Sequence, residues 1–307
     1  MKTAFEKSLL GLMEQYEKIV LLTADEHSPE LTAIREKFPS RCFSFGIAEF
    51  NMVGAAAGLS RAGFIPVVYT VASFLAFRSI EAIRCNICIN NFKVILAGFA
   101  SGVKINNFGP VHHAIEDIAV LRALPELVLL SPASVNEVKP VLKAALETTS
   151  PVYIRLGKAF ETEIYDSPPS FTIGKCELIR EGWDLTIIAT GNIIANAIDA
   201  AELLEKEFAI STDIINMSTI KPIDKEAILN SATKTHRVVT VEEHQVTGGL
   251  GGAISEVLAK SDVNAKLEII GFNDKFCTAY GLHSDLLEAY GLSAVQIFER
   301  IKAFMEE

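Results

Sequence analysis

At 307 residues, half of them apolar and with a formal net charge of −10, the chain has material for about two ordinary domains around a large core. The acidic balance argues against a phosphate-backbone partner, because nucleic-acid binding runs on clustered Lys and Arg. Residues 1–14 mix charges and lack the basic start, apolar centre and small-residue cleavage site of a secretory leader, so a cytoplasmic protein is expected. The longest apolar stretch, 64–77, is interrupted by Pro66, Thr70 and Ser73 and falls short of the ~20 residues of a membrane helix, so no span is expected.

In chain order, short β-rich apolar runs at 19–23, 64–70, 93–98, 127–131 and 151–156 alternate with helical patterns such as 114–123. That alternation predicts a doubly wound α/β domain with a mostly parallel sheet over 1–164. Around 165–170 tandem prolines suit neither a helix interior nor a central strand, which places a linker there. The pattern restarts with strands expected at 185–190, 211–216, 237–242 and 266–270 and a helix over 194–207. A second, smaller α/β domain is therefore expected over 171–307. The glycine-rich run 248–252 lacks the Gly-Lys-Ser/Thr ending of a phosphate loop, and Ile254 occupies the third glycine position of a dinucleotide fingerprint. It reads as a structural turn and interface, with His244 near the surface. The five cysteines are odd in number and irregular in spacing, which fits reduced thiols. Cys85 and Cys88 lack the second pair or the histidines that a zinc site needs, so helix packing is expected and no metal ligand is assigned to this chain.

Three features carry chemistry. Glu49 stands at the start of a run that is otherwise small and apolar, through Gly54 and Gly58, where an unpaired carboxylate would be costly. A helix start there would stabilise its charge through the macrodipole. Ser73-Phe74-Leu75-Ala76-Phe77 follows an apolar strand, and Gly109-Pro110-Val111-His112-His113 precedes a helical segment. Acid, aromatic pair and histidines in that order resemble the pyrimidine-binding half of thiamine-diphosphate enzymes, most closely the transketolases and the related deoxyxylulose-phosphate synthases. The resemblance covers almost the whole chain and implies a pyrimidine-binding domain followed by a C-terminal domain of the transketolase type.

By that resemblance Glu49 is the acid that hydrogen-bonds the cofactor's aminopyrimidine. The task suits a carboxyl at the edge of an apolar pocket, where desolvation and a specific partner tune its proton affinity. Phe74 and Phe77 would hold the flat pyrimidine, with Ile80 where transketolases carry a Tyr; the synthases place an Arg at the position of Phe77. His112 falls where both families keep a histidine beside the reacting carbon, and neutral imidazole moves protons near neutral pH. His113 reads as its neighbour. Phe108 stands where transketolases usually have an Asp that helps read a substrate hydroxyl, and a further upstream histidine is absent from 99–101. These departures fit a deoxy, branched or otherwise modified substrate. Arg155 and Lys158 are candidates to hold a substrate phosphate, Arg155 equally to close a subunit interface. The loop 25–28, with Ser28, is a candidate lining of the substrate channel.

The family holds the cofactor's diphosphate through magnesium, or calcium, at a Gly-Asp-Gly segment that this sequence lacks. The resemblance therefore implies the C-terminal subunit of a two-chain transketolase, whose N-terminal partner holds the metal. Two copies of each chain, α2β2, are the family precedent, and the small-residue run 54–58 would let helices approach closely. The implied activity moves a two-carbon ketol unit from a ketose or ketose phosphate to an aldehyde. A deoxyxylulose-phosphate-synthase-like subunit is the nearer alternative, disfavoured by Phe77 and Phe108. The beta subunit of a 2-oxo-acid dehydrogenase and a catalytically silent scaffold are the others.

Overall fold

The apolar run Ile19–Thr23 forms the first strand, β1, with all five residues buried, as a parallel strand between two helix layers requires. It is followed by β2 (Cys42–Ser44), β3 (Ile65–Val71), β4 (Ile95–Phe99), β5 (Val128–Leu130) and β6 (Val152–Arg155). These six pair in parallel in the order β5-β6-β4-β3-β1-β2. Successive strand residues point to opposite faces. Leu21, Val67, Ile95 and Ile154 pack against the helices Lys2–Gln15 and Val135–Glu147, while Leu22, Val68, Leu96 and Tyr153 pack against the helix Glu49–Arg61 on the other side. This is a computed structural model, which describes residues 1–158 and 162–306.

Six more strands follow: β7 (Glu177–Arg180), β8 (Leu185–Thr190), β9 (Thr212–Asn216), β10 (Thr219–Lys221), β11 (Arg237–Gln245) and β12 (Lys266–Phe272). The second sheet runs β12-β11-β8-β9-β7, parallel except for the antiparallel edge strand β7. Helices Ile194–Phe208 and Ala294–Glu306 cover one face, and Lys225–Thr235 and Leu250–Leu258 the other. The chain therefore has the expected architecture of two doubly wound α/β units. No helix among the described residues is long and apolar enough to cross a membrane.

Strands β1 and β8 coincide with the expected 19–23 and 185–190, whereas β2, β7 and β10 are additions. Strand β10 leaves the second half to pair antiparallel with β5, Thr219 opposite Leu130, and so forms the edge of the first sheet. The helical pattern 114–123 forms helix only over Asp117–Arg122. The placement of His244 near the surface is corrected: it is fully buried, because β11 continues to Gln245 and passes under that short helix. Its Nε2 accepts from Ala119 N–H at 3.3 Å and its Nδ1 lies 2.7 Å from the Gln245 carbonyl. Burial, above all, pulls its pKa down to about 4, so the ring is neutral.

Candidate active site

Open parallel sheets bind ligands beyond the carboxyl ends of their strands, where neighbouring connections leave in opposite directions. In this chain β1 lies between β2 and β3, with β4 beyond β3. The segments leaving these four strands carry Glu26, Glu49, Phe74 with Phe77, and His112.

Glu49 is the first residue of its helix and only 4% exposed. Its Oε2 lies 3.4 Å from Nη1 of Arg78, whose side chain is half exposed. After β3 the chain turns through a short π-helical segment, Phe74–Arg78, a wide turn that recurs at functional sites. The Arg78 guanidinium sits 4.4 Å from the centre of the Phe74 ring, and the His112 ring meets Phe74 edge-on at 5.0 Å. Phe108 closes against His112 at 4.9 Å. Glu49, Arg78, Phe74, His112 and Phe108 therefore form one continuous chain of contacts across the mouth. Phe77 is partly exposed beside it, and Ile80 is half-buried against the core beneath.

Burial, followed by the Arg78 charge, lowers the pKa of His112, and its buried Nδ1 has no hydrogen-bond partner among the described residues. The imidazole is thus neutral at pH 7. His113 is almost fully buried, with a pKa lowered chiefly by burial.

The same mouth holds a second acid. Glu26 is buried, accepts a hydrogen bond from the Thr70 hydroxyl near the end of β3, and has no partner for Oε2 among the described residues. Burial, with a smaller contribution from Glu49, raises its pKa. The expected channel loop 25–28 contains this residue, but nothing in its local pattern separates it from Asp25. Arg78 carries no sequence signal, since its role follows from the π-helical turn that brings it over Phe74.

The other anticipated residues lie elsewhere. Ser28 caps the helix Pro29–Lys37, accepting from Leu31 N–H and donating to Glu6, both at 3.0 Å. Lys158 is exposed beyond β6. Arg155 is 4% exposed and internally paired: Nε donates to both Asp117 oxygens at 2.9 and 3.1 Å, and Nη2 to the carbonyls of Ala114 and Glu243 at 2.9 and 3.0 Å. It joins the two halves of the chain in place of the expected phosphate contact.

Residues 1–160 match the family described as "Transketolase, pyrimidine binding domain", and 174–297 match "Transketolase, C-terminal domain". A putative transketolase C-terminal section from Methanocaldococcus jannaschii is 39% identical over 310 residues, covering 100% of this chain and 96% of that protein. One subunit of an apulose-4-phosphate transketolase from Phocaeicola vulgatus is 33% identical, covering 100% of this chain and 97% of that one. A 1-deoxy-D-xylulose-5-phosphate synthase from Heliobacterium modesticaldum is 37% identical over 95% of this chain, which spans 45% of that enzyme. Among solved structures, a split-gene transketolase, an inactive beta4 tetramer, superposes with a TM-score of 0.89 at 38% identity over 99% of this chain and 97% of that one. Fold and mouth together define a protein that joins a pyrimidine-binding domain of the transketolase type to a second α/β domain. The chain belongs to the transketolase family and is similar over its length to the C-terminal sections and subunits of split members.

Transketolases and deoxyxylulose-phosphate synthases use thiamine diphosphate, and the chemistry of these residues suits its aminopyrimidine. Among the described residues the buried Glu49 carboxyl has one long contact, to a half-exposed Arg, and Phe74 and Phe77 on the adjoining turn are apolar rings of the kind that hold a flat heterocycle.

Proposed function

We propose that this chain is the cofactor-activating subunit of a two-chain transketolase, transferring a two-carbon ketol unit from a ketose or its phosphate to an aldehyde. The observation that carries this reading is the contact chain from buried Glu49 through Arg78 and Phe74 to His112, beyond the carboxyl ends of β2, β3 and β4. When bound, thiamine diphosphate supplies a nucleophilic carbon that carries the ketol fragment. Glu49 would hold the proton shared with the pyrimidine ring nitrogen. Phe74, Phe77 and Ile80 would orient the ring and exclude water. Neutral His112 would take and return protons at substrate hydroxyl groups. Phe108 presents an apolar face to the substrate, consistent with a deoxy or otherwise modified sugar, and exposed Lys158 would meet a phosphate.

The partner would be a separate N-terminal chain that holds the diphosphate through magnesium or calcium, in an α2β2 assembly in the cytoplasm. Ile47, Phe50, Phe108 and Val111 are all at least half exposed or nearly so around the mouth, an apolar rim of the kind that marks a subunit contact. The split-gene structural neighbour, solved as an inactive beta4 tetramer, supports the need for a second chain. A synthase-like activity is the second reading, favoured by identity to the synthase from H. modesticaldum over 95% of this chain. With the partner present, Glu49→Gln is expected to abolish ketol transfer while the circular dichroism spectrum and unfolding midpoint stay close to those of the parent chain. Near-normal turnover of that variant overturns the assignment.

A further inference from the structure

Between β4 and the helix Asp117–Arg122 the chain has little regular structure of its own. It contains two single 3-10 turns, Asn106–Phe108 and Pro110–His112, and both His112 and Phe108 lie in them. Their positions must come from contacts outside the segment. A pair of backbone hydrogen bonds between Gly102 and Ala114, 2.9 Å each, closes 103–113 into a loop. At the neck of that loop stands Glu243, from the far end of β11 in the second half of the chain.

The Glu243 carboxylate is 3% exposed; Oε1 accepts the Val103 N–H at 2.8 Å and lies 2.9 Å from His283 Nε2. Gly102 has φ of +65°, and a Cβ there would lie 2.2 Å from Glu243 Oε1, so the neck fits the carboxylate only with glycine in that place. The neck is pulled in by apolar contacts too, since Val103 and Ile115 are buried in the core of the second half. Nearer the tip, Asn106 Nδ2 donates to the Gly281 carbonyl and Gly109 faces the Tyr280 hydroxyl. Arg155 Nη2 joins the carbonyls of Ala114 and Glu243, tying β6, the neck and β11 at one cation. Burial is the largest influence on Glu243 and would raise its pKa, but His283, Lys104 and the Val103 N–H overcome it and hold the value at about 2. The carboxylate is therefore charged throughout the working pH range.

We propose that Glu243 and His283 form a latch through which the C-terminal half holds the His112 loop against the mouth, making Glu243 a positioning residue for His112. The C-terminal domain then has a defined part in the reaction without touching substrate. The inference rests on the proposed role of His112 for its catalytic consequence, and on geometry alone for the latch itself.

The test uses Glu243→Gln and His283→Gln in the free chain and in the complex with the partner subunit. Hydrogen–deuterium exchange is followed over 101–113, with β8 as internal reference. Loss of one charge-assisted bond is expected to raise exchange over 101–113 by about tenfold and leave β8 unchanged. In the complex, kcat is expected to fall by about tenfold, with less than about a twofold change in half-saturation by thiamine diphosphate. In a His112→Ala background, Glu243→Gln is expected to add no further loss, because a positioning residue acts only through the group it places. Unchanged exchange over 101–113 overturns the latch. Multiplying losses in the double variant overturn the link to His112. If the complex transfers no ketol units, exchange still decides the latch, so the two failures are distinguishable. Should Glu243→Gln not fold, His283→Gln, at a quarter-exposed site, carries the same measurements with the same two outcomes.

Discussion

Asp117→Ala removes the acceptor shared by two buried side chains, Arg155 and Tyr153. Asp117 has no exposed surface and accepts three hydrogen bonds, two from Arg155 Nε and one from the Tyr153 hydroxyl at 2.8 Å. Truncation strands the Arg155 guanidinium among carbonyls without a countercharge, which costs about 3–5 kcal/mol for a buried pair. It also leaves the buried Tyr153 hydroxyl without an acceptor, for roughly 1–3 kcal/mol more. The two losses share one relaxation, so about 4–5 kcal/mol is expected, a large part of the 5–15 kcal/mol of a typical protein. Asp117→Asn keeps an acceptor oxygen and loses only the charge, so about 3 kcal/mol is expected. Urea unfolding reads both, with far-UV circular dichroism for the whole chain and fluorescence of the single tryptophan, Trp183, for the second half. Replacing both partners, Asp117→Leu with Arg155→Met, should recover most of the loss, because apolar packing substitutes well for a buried ion pair. A loss below about 1 kcal/mol for Asp117→Ala would refute the reasoning, since water would then be reaching the cation.

Glu243 has a folded pKa of about 2 against an ordinary 4.5, so its stabilising contribution is complete above pH 4.5 and is lost as pH falls through 2. The stability gap between the parent chain and Glu243→Gln should shrink by about 3 kcal/mol on acidification from pH 5 to pH 2, read by urea unfolding at each pH. A gap independent of pH would contradict that. Gly102→Ala should destabilise by roughly 2–4 kcal/mol, because it combines a left-handed backbone with displacement of the Glu243 carboxylate. Gly11→Ala, in the helix Lys2–Gln15 with open space around its Cβ position, should instead stabilise by about 0.5–1 kcal/mol. Equal unfolding midpoints for the two alanine variants would refute the packing argument.

Long apolar strands flanked by turn residues were the most legible part of the fold, and β1 and β8 show why: each is buried on every residue, so hydrophobicity alone marks its limits. Strands β2, β7 and β10 are three or four residues long, too short for periodicity to show. The pairing of β10 with β5 depends on how the two halves dock, which no local pattern encodes. His244 was misplaced for a related reason. A run of Glu-Glu-His normally marks a solvated turn, but here Glu242 accepts the N–H groups of Leu250 and Gly251 at a helix start, Glu243 holds the His112 loop, and His244 is roofed by the helix Asp117–Arg122. Each of the three side chains has a partner more distant in sequence than a turn spans. Glu49, Phe74 and His112 were legible because their order along the chain mirrors the order of strand ends around the mouth. Arg78 and Glu26 were not, since their importance lies in the ring and carboxylate they face across space.

The most direct test of the central claim is isolation of the native complex, identification of the co-purifying chain, and assay of bound thiamine diphosphate and of two-carbon transfer from a panel of small ketoses. A partner bearing a Gly-Asp-Gly segment, with cofactor bound and ketol transfer detected, is the predicted result. A chain that remains without a partner, or a complex that never retains the cofactor, would contradict the account and leave Glu49 a structural residue of a silent scaffold.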